Sequence, residues 1–114
     1  MAEPTEVVEC QLDAYNAHDT ERFLSCYAPT IVITNSTGEV LAEGRDQLRA
    51  MYGPLFDASP ELSASITNRM AIGNFVADHE QVEGFNRGGF STTFQAIAVY
   101  EVTGDFISRV SLFF

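Results

Sequence analysis

The chain has 114 residues, 46% of them hydrophobic and 19% charged, which predicts one well-packed domain spanning residues 1–114. Its formal net charge is −10, and its six basic residues are arginines scattered along the sequence. A field of this sign repels nucleic-acid phosphates and anionic lipid headgroups, so nucleic acid and membrane surfaces are excluded as partners.

The sequence contains no targeting, metal or redox motif. Residues 1–6 lack the basic and apolar regions of a secretory signal, and no apolar run reaches membrane-spanning length, so we expect a cytoplasmic protein. Cys10 and Cys26 lack the spacing of a zinc or redox site, and a reduced pair is favoured over a disulfide. We therefore expect neither a metal nor a cofactor.

The first half of the chain has the apolar spacing of helices, interrupted by two short extended stretches. Val8, Leu12 and Tyr15, for example, recur at intervals of four and three residues. Pro54 lies inside the last helical pattern and predicts a kink or a break there. The predicted elements are helix 5–17, helix 20–27, strand 30–34, an extended piece at 40–42 and helix 45–58.

Four strand-like runs follow, separated by short connections rich in Gly, Asn and Asp. Such connections join consecutive antiparallel strands as hairpins. The runs cover residues 62–72, 75–85, 90–103 and 106–114. This order predicts an α+β domain with helices on one face of an antiparallel sheet, and with strand 30–34 free to join a sheet edge.

The run 75–85 carries polar side chains on both of its faces. Alternate residues of a strand point to opposite sides, so two sets of side chains result. One set is Ala77, His79, Gln81, Glu83 and Phe85, and the other is Val76, Asp78, Glu80 and Val82. A polar series on a strand flanked by apolar strands predicts that one face lines a cavity instead of a dry core.

Several short motifs accompany this order of elements. They are Tyr15-Asn16-Ala17-His18-Asp19, Cys26-Tyr27-Ala28-Pro29, Gly44-Arg45-Asp46, Phe75-Val76-Ala77-Asp78-His79-Glu80, Ala98-Val99-Tyr100-Glu101-Val102 and Ile107-Ser108-Arg109-Val110. Together they resemble the nuclear transport factor 2 (NTF2)-like superfamily, and within it the SnoaL-like and ketosteroid-isomerase-like proteins. The resemblance spans the chain and implies a cystatin-like cone with a pocket between curved sheet and helices. That fold serves isomerases, dehydratases, hydrolases, cyclases and non-catalytic binding modules.

Matched position by position, the resemblance argues against ketosteroid isomerase chemistry. The tyrosine, the base aspartate and the oxyanion aspartate of that enzyme fall on Gln11, Asn35 and Ala98. An amide takes no proton at neutral pH, and alanine neither donates nor accepts one. The same matching implies a pocket-facing set of His79, Gln81, Glu83, Asn35, Ala98, Tyr100, Arg109, Ser111 and Phe113.

His79 is the best candidate for a general acid or base, because imidazole changes charge near neutral pH. A structural histidine held by a neighbouring hydroxyl is the alternative. Glu83 lies about 13 Å further along the strand, too far to orient His79 directly. It is predicted either to pair with Arg109 or to bind substrate. The plausible partners of His79 from other elements are Asn35, Tyr15, Tyr52, Tyr100 and Arg109.

Each of the remaining ligand-binding candidates also has a purely structural interpretation. Asn35 either offers a hydrogen bond to a ligand or ends its strand before the turn at 36–38. Tyr15 and Tyr52 lie on apolar helix faces and are predicted core residues whose hydroxyls reach the pocket. The full ligand-binding set is Asn35, Gln81, Glu83, Tyr15, Tyr52, Tyr100, Arg109 and Phe113.

These observations predict a protein that binds a small, mostly apolar molecule in the pocket. It is either an acid–base enzyme (isomerase, dehydratase or hydrolase) or, alternatively, a non-catalytic ligand-binding or protein-interaction module. The outer sheet face is expected to be too apolar to be fully exposed to water. We therefore predict a homodimer that forms through that face. The residues assigned to it are Val76, Val82, Val99 and Val110 beside Asp78, Glu80 and Glu101.

Overall fold

The computed structural model describes residues 3–114; Met1 and Ala2, which belong to the N-terminal segment considered above, lie outside the described residues. The described chain forms three helices and six strands. They are α1 (Pro4–Asn16), α2 (Thr20–Ser25), β1 (Tyr27–Thr34), β2 (Val40–Glu43), α3 (Gly44–Ala58), β3 (Ser63–Ile72), β4 (Phe75–Arg87), β5 (Phe90–Thr103) and β6 (Phe106–Phe113). The predicted α+β architecture is confirmed.

The six strands form one sheet in the order β2-β1-β6-β5-β4-β3. Strands β3 to β6 are the predicted antiparallel meander, since each pairs antiparallel with the next. Strand β1 joins the free edge of that meander by pairing parallel with β6, and β2 pairs antiparallel with β1 beyond it. The three helices pack on one face of this sheet, which leaves the other face uncovered.

The break between α1 and α2 is set by two adjacent residues. His18 has φ of +55°, a left-handed conformation that a right-handed helix cannot continue through. Asp19 then caps α2, because its side chain accepts a hydrogen bond from the backbone N–H of Arg22 at 3.1 Å. The His18 ring stacks on Phe56, and its Nε2 lies 2.7 Å from the carbonyl oxygen of Leu62. This corner therefore ties the two helices to the start of β3.

Helix α3 continues through Pro54 from Gly44 to Ala58, so the predicted break at this proline is wrong. Pro54 has no N–H to donate to the carbonyl four residues earlier, at Ala50. Both residues are exposed, so water can hydrate that carbonyl and the lost hydrogen bond leaves no buried polar group.

A cluster of aromatic rings joins the three helices beneath the sheet. Phe23 is buried and its ring centroid lies 4.7 Å from that of Tyr52 and 5.6 Å from that of Phe56. Tyr15 meets the edge of Phe56 at 5.4 Å and that of Tyr52 at 6.2 Å. Offset and edge contacts of this kind stabilise packing beyond the area they bury. The cluster fixes the positions of Tyr15 and Tyr52 relative to the sheet.

A β-bulge at Gly84 interrupts β4 and changes which side chains face the helices. The register with β5 shifts between Val82 and Phe85, and Gly84 has φ of +72°. A Cβ atom on Gly84 would lie 2.2 Å from the carbonyl oxygen of Glu61, so no side chain fits there. Because of the extra residue, Val82 and Phe85 lie on the same side of the sheet.

Substitution of Gly84 by alanine is expected to destabilise the fold by at least about 3 kcal/mol, because it combines an unfavourable φ with a backbone clash. Gly88 provides a matched control, since its φ is +62° but a Cβ there meets nothing within 4 Å. The Gly88→Ala variant is expected to lose only about 1–2 kcal/mol. Urea unfolding of both variants measures the difference, and equal losses would contradict the proposed close packing of Gly84 on Glu61.

The two cysteines are free thiols in neighbouring helical segments. The Sγ atoms of Cys10 and Cys26 lie 3.4 Å apart, and Cys26 is buried. Burial and the neighbouring Cys10 thiol raise the pKa of Cys26 to about 12. Among residues 3–114, none of the helices combines the length and apolar character that a bilayer crossing requires.

Candidate functional site

The concave side of the sheet and the helices enclose a cavity of about 630 Å³. This volume lies in the range of small-molecule sites. The walls are mostly apolar, with contributions from Leu12, Ile33, Met51, Val82 and Val110. The polar side chains within it are Gln11, Tyr15, Tyr27, Tyr52, Glu80 and Tyr100, and those towards its mouth include Arg87 and Thr92.

Glu80 is the one acidic side chain among the described residues that line the cavity. It points inward from the middle of β4, where it pairs in register with Ala96 of β5. Ala96, which also lines the cavity, carries only a methyl group at this register position. Burial, with a smaller contribution from the charge of Asp78, raises the pKa of Glu80 to about 7. At neutral pH the carboxyl group is therefore present in both protonation states.

A chain of hydrogen bonds crosses the cavity floor through Gln11. The Tyr27 hydroxyl donates to Gln11 Oε1 at 3.1 Å, and Gln11 Nε2 donates to the Tyr100 hydroxyl oxygen at 3.2 Å. Gln11 is buried, so this arrangement fixes the orientation of its amide group. The Tyr100 hydroxyl oxygen accepts the hydrogen bond from Gln11, so its own proton remains available to donate to a ligand.

Four tyrosines surround Glu80 closely enough for its charge to act on them. Burial is the main cause that raises the pKa of each phenol above its ordinary value, and the Glu80 carboxylate adds to the effect. The hydroxyls therefore stay protonated at any physiological pH and act as neutral donors. The four residues are Tyr15 on α1, Tyr27 on β1, Tyr52 on α3 and Tyr100 on β5.

Asp78 lies two residues before Glu80 on the same face of β4 and is fully buried. Arg69, opposite it on β3, holds both carboxylate oxygens, with Nε 2.6 Å from Oδ1 and Nη2 2.9 Å from Oδ2. The same guanidinium reaches Glu9 on α1 at 2.8 Å. Arg69 therefore balances the charge of Asp78. Through its second contact, with Glu9, Arg69 also ties helix α1 to the sheet.

Residues 75–83 of β4 face opposite to the direction predicted from the sequence. His79, Gln81 and Glu83 lie on the outer side of the sheet, and Asp78, Glu80 and Val82 lie on the cavity side. His79 Nε2 lies 2.5 Å from Gln95 Oε1, beside a shallow outer depression that Ile97 and Phe113 also line. The inward orientation predicted for His79 is therefore wrong.

An ungapped match to the family gives the wrong orientation for β4, because both faces of this strand carry polar residues. Tyr100 and Ala98 of β5 face inward, as predicted. In register, Ala98 pairs with Asp78, so the cavity side of β4 must carry the even-numbered residues up to the bulge at Gly84. The available signal was Gly84, since glycine inside a strand indicates a bulge that ends strict alternation.

The faces of strand β6 are also oriented opposite to the direction predicted from the sequence. Val110 and Leu112 line the cavity, whereas Arg109, Ser111 and Phe113, which were predicted to face inward, lie on the outer side. Arg109 is exposed opposite Glu101, and Glu83 accepts a hydrogen bond from Gln81 at 3.0 Å. No ion pair among residues 3–114 joins Glu83 to Arg109, so that predicted pairing is wrong.

Asn35 lies in the β1–β2 turn, which agrees with the structural one of the two roles that the sequence left open for it. Its Oδ1 accepts hydrogen bonds from the backbone N–H groups of Thr37 and Glu39, each at 3.0 Å. Tyr15, Tyr52 and Tyr100 do line the cavity. The cavity residues that sequence reasoning did not select for a ligand-binding role include Glu80, Gln11 and Tyr27.

Nothing in the described chain (3–114) groups three His, Cys, Asp or Glu side chains in a way that could hold a metal ion. Of the two carboxyl groups at Glu80 and Asp78, that of Asp78 has both oxygens bound by Arg69. The cavity therefore presents one free carboxyl group, a primary amide and four phenols.

Comparisons with known proteins agree with this architecture. Residues 8–110 match a family model described as the SnoaL-like domain. No curated protein matches the sequence significantly. Among solved structures, an uncharacterised cystatin-fold protein from Novosphingobium aromaticivorans is 27% identical with a TM-score of 0.89, and the match covers 98% of each chain.

Two more distant structures share the fold. A Catenulispora acidiphila protein with a ketosteroid isomerase-like fold, in complex with trimethylamine, is 15% identical with a TM-score of 0.81, covering 99% of this chain and 87% of that one. An epoxide hydrolase of the LEH-like type from M. tuberculosis is 17% identical with a TM-score of 0.80, covering 97% and 81%. At these identities the likeness shows the fold alone.

Proposed function

Because the chain belongs to the SnoaL-like domain family, whose fold encloses a pocket, we propose that it binds a small, mostly apolar molecule in the cavity and exchanges a proton with it through Glu80. The observation that carries this proposal is a carboxyl group inside an apolar cavity, with no ion-pair partner among residues 3–114 and four phenols around it. The crystallised complex of one structural neighbour with a small molecule supports a ligand in this fold.

Glu80, in place of His79, is the group suited to general acid–base chemistry. A catalytic acid or base works best when its pKa lies near the working pH, and that of Glu80 is about 7. The protonated Tyr100 hydroxyl, held by Gln11, supplies a neutral donor for charge that develops on a substrate oxygen. The reaction classes compatible with one carboxyl and neutral donors are isomerisation, dehydration and hydrolysis.

A non-catalytic binding module is the second candidate. The observation that favours it is that burial keeps the phenols around Glu80 protonated, so they supply no second acid–base group that changes charge near neutral pH. In this role Glu80 would orient a ligand without transferring its proton to a reacting atom. The two candidates share the cavity and differ in whether Glu80 accelerates a proton transfer.

A generic proton-abstraction probe separates the two candidates. 5-Nitrobenzisoxazole is small, neutral and apolar, and removal of its C3 proton by a base opens the ring to a coloured phenolate. We expect wild type to accelerate this opening at least about 100-fold more than Glu80→Gln does, with a pH profile that rises through about 7. Ala96→Leu, which fills the space above Glu80, is expected to abolish the acceleration as well.

The outcomes assign the role of Glu80 separately from that of the cavity. If wild type and Glu80→Gln open the ring at equal rates, Glu80 is not a base. If the probe still competes with a hydrophobic dye for wild type but not for Ala96→Leu, the binding module stands. Absence of both binding and catalysis contradicts the proposed function.

We also propose that the uncovered sheet face forms a homodimer, although its residues differ from those predicted. Val76, Val82 and Val110 lie on the cavity side together with Asp78 and Glu80, so of the predicted set only Val99 and Glu101 lie outside. The outer face carries exposed Ile97 and Phe113 next to His79 and Gln95. An apolar centre with polar surroundings is typical of an isologous contact.

Sedimentation equilibrium at micromolar concentration tests this dimer. Wild type is expected to show twice the monomer mass, and Ile97→Glu is expected to sediment as a monomer because a charge cannot be buried unpaired at the centre of the contact. Phe90→Glu is the control, since Phe90 is exposed at the start of β5 beside the β4–β5 turn. A monomeric wild type removes the proposal.

A further inference from the structure

Among residues 3–114, the carboxyl group of Glu80 has no positive partner. The three ion pairs of residues 3–114 involve Glu21, Glu9 and Asp78, and none involves Glu80. Asp78, whose charge acts on Glu80, has the same sign and is already held by Arg69. Arg87, the one basic side chain among the described lining residues, is exposed on the last residue of β4. A carboxylate without a partner is unfavourable in an apolar cavity, so a cation from outside that reached Glu80 would stabilise its ionised form.

The surfaces around Glu80 are also suited to a cation. The phenol rings of Tyr15, Tyr27, Tyr52 and Tyr100 come from four different elements and line the same space. The faces of aromatic rings carry partial negative charge and attract organic cations, most strongly when water is excluded. The net charge of −10 adds a long-range field that draws cations towards the protein.

We propose that the cavity binds an organic cation, namely an amine with apolar substituents, with the Glu80 carboxylate as its counter-ion and the tyrosine rings as the walls around its charged nitrogen. This inference rests on the proposed function in one respect, namely that the cavity binds a ligand. It adds the chemical class of that ligand. The apolar substituents would contact the walls formed by Ile33, Val82 and Val110.

Binding of a cation is coupled to ionisation of Glu80. When a quaternary ammonium ion binds, the O–H bond of protonated Glu80 breaks and the proton passes to the buffer. The titratable groups that face Glu80 are Asp78 on the same strand and the four phenols, and the phenols do not ionise in this range. With a pKa of about 7, lowering the pH from 8 to 6 is expected to weaken the affinity about tenfold.

Titration calorimetry with two isosteric probes tests the proposal. (4-Hydroxyphenyl)trimethylammonium and 4-tert-butylphenol differ by a charged nitrogen in place of a carbon. At pH 8, wild type is expected to bind the cation at least about tenfold more tightly than the neutral probe. Glu80→Gln is expected to lose this preference, whereas Glu61→Gln, the same change at an exposed position, is expected to retain it.

A second pair of variants tests the rings without altering the charge. Tyr52→Phe keeps the aromatic face and removes the hydroxyl, so the affinity for the cation is expected to stay within about twofold. Tyr52→Leu removes the ring and is expected to weaken cation binding roughly threefold to thirtyfold, with little change for the neutral probe. Equal losses for the two probes would show that Tyr52 contributes only apolar area, which overturns its assigned role.

The failure of this inference is distinguishable from failure of the proposed function. Equal affinity of wild type for both probes, binding of the neutral probe alone, or retention of the cation preference in Glu80→Gln each overturns the cation proposal. In the first two cases a cavity that binds an apolar molecule still stands. Absence of binding of either probe overturns the cation proposal and, together with failure of the ring-opening assay, removes the proposed function.

Discussion

Replacement of Glu80 by glutamine is expected to make the fold more stable than wild type at pH 8, and to remove that advantage at pH 5. The side chain is partly buried in an apolar cavity, and burial raises the pKa of its carboxyl from 4.5 to about 7. A shift of this size corresponds to about 3 kcal/mol between the two protonation states. Glutamine has nearly the same shape and never carries the charge.

The sign follows from the protons bound in each state. Between about pH 4.5 and 7 the folded protein holds the Glu80 proton while the unfolded chain has released it. The folded state binds more protons there, so the free energy of unfolding of wild type falls as the pH rises through this window. Above pH 7 both states are ionised, and the contribution of Glu80 stays constant.

Urea unfolding of wild type and Glu80→Gln at pH 5, 6, 7 and 8 measures this effect. The difference in unfolding free energy between the two proteins is expected to change by about 2–3 kcal/mol from pH 5 to pH 8, in favour of the variant. Taking the difference cancels the titration of the other carboxyl groups. A constant difference over this range would show that Glu80 has an ordinary pKa and would weaken its assignment as a proton-transfer group.

The helices and the meander were predictable because their signals are local. Val8, Leu12 and Tyr15 repeat at helical spacing, and the Gly-Asn, Gly-Gly and Gly-Asp connections favour hairpins without reference to distant residues. The resemblance to SnoaL-like proteins added the cavity, which the structure contains at about 630 Å³. The fold was therefore accessible from the sequence, apart from the continuity of α3 through Pro54.

The candidate site was less predictable, because its key facts depend on register between distant strands. Both faces of β4 carry polar residues, so the pattern alone does not show that Asp78 and Glu80 point inward. Asp78 can do so because Arg69 lies opposite it in register on β3, nine residues away. Glu80 faces inward with no such partner in the part of the chain that the structure describes. A buried polar group that lacks compensation departs from folding rules, as is expected at a functional site.

The second large effect on the free energy of unfolding is expected from substitution of Arg69. Substitution by methionine, which keeps an unbranched apolar stem but lacks the guanidinium, leaves the fully buried Asp78 carboxylate without its bidentate partner. Removal of one member of a buried ion pair typically costs about 3–5 kcal/mol, because the remaining charge is uncompensated. Urea unfolding of Arg69→Met is expected to show a loss of this size. Arg49→Met, which breaks the exposed pair with Glu21, is expected to show no measurable change.

A double variant distinguishes an uncompensated charge from lost packing. Asp78→Asn in the Arg69→Met background removes the charge, so a large part of the loss is expected to be recovered. If the double variant is no more stable than Arg69→Met, the loss comes from the packing of Arg69 and not from the charge of Asp78.

The Asp78→Asn single variant links this pair to the cavity. The charge of Asp78 contributes to raising the pKa of Glu80, so its removal is expected to lower that pKa and to move the pH-dependent effect of Glu80→Gln on stability to lower pH. The same unfolding series, repeated with and without Glu80→Gln in the Asp78→Asn background, measures the displacement. Because burial is the larger cause, the pKa of Glu80 is expected to stay above its ordinary value even then. An unchanged pH dependence would mean that Arg69 fully screens Asp78 from Glu80, and that burial alone sets the proton affinity of the cavity.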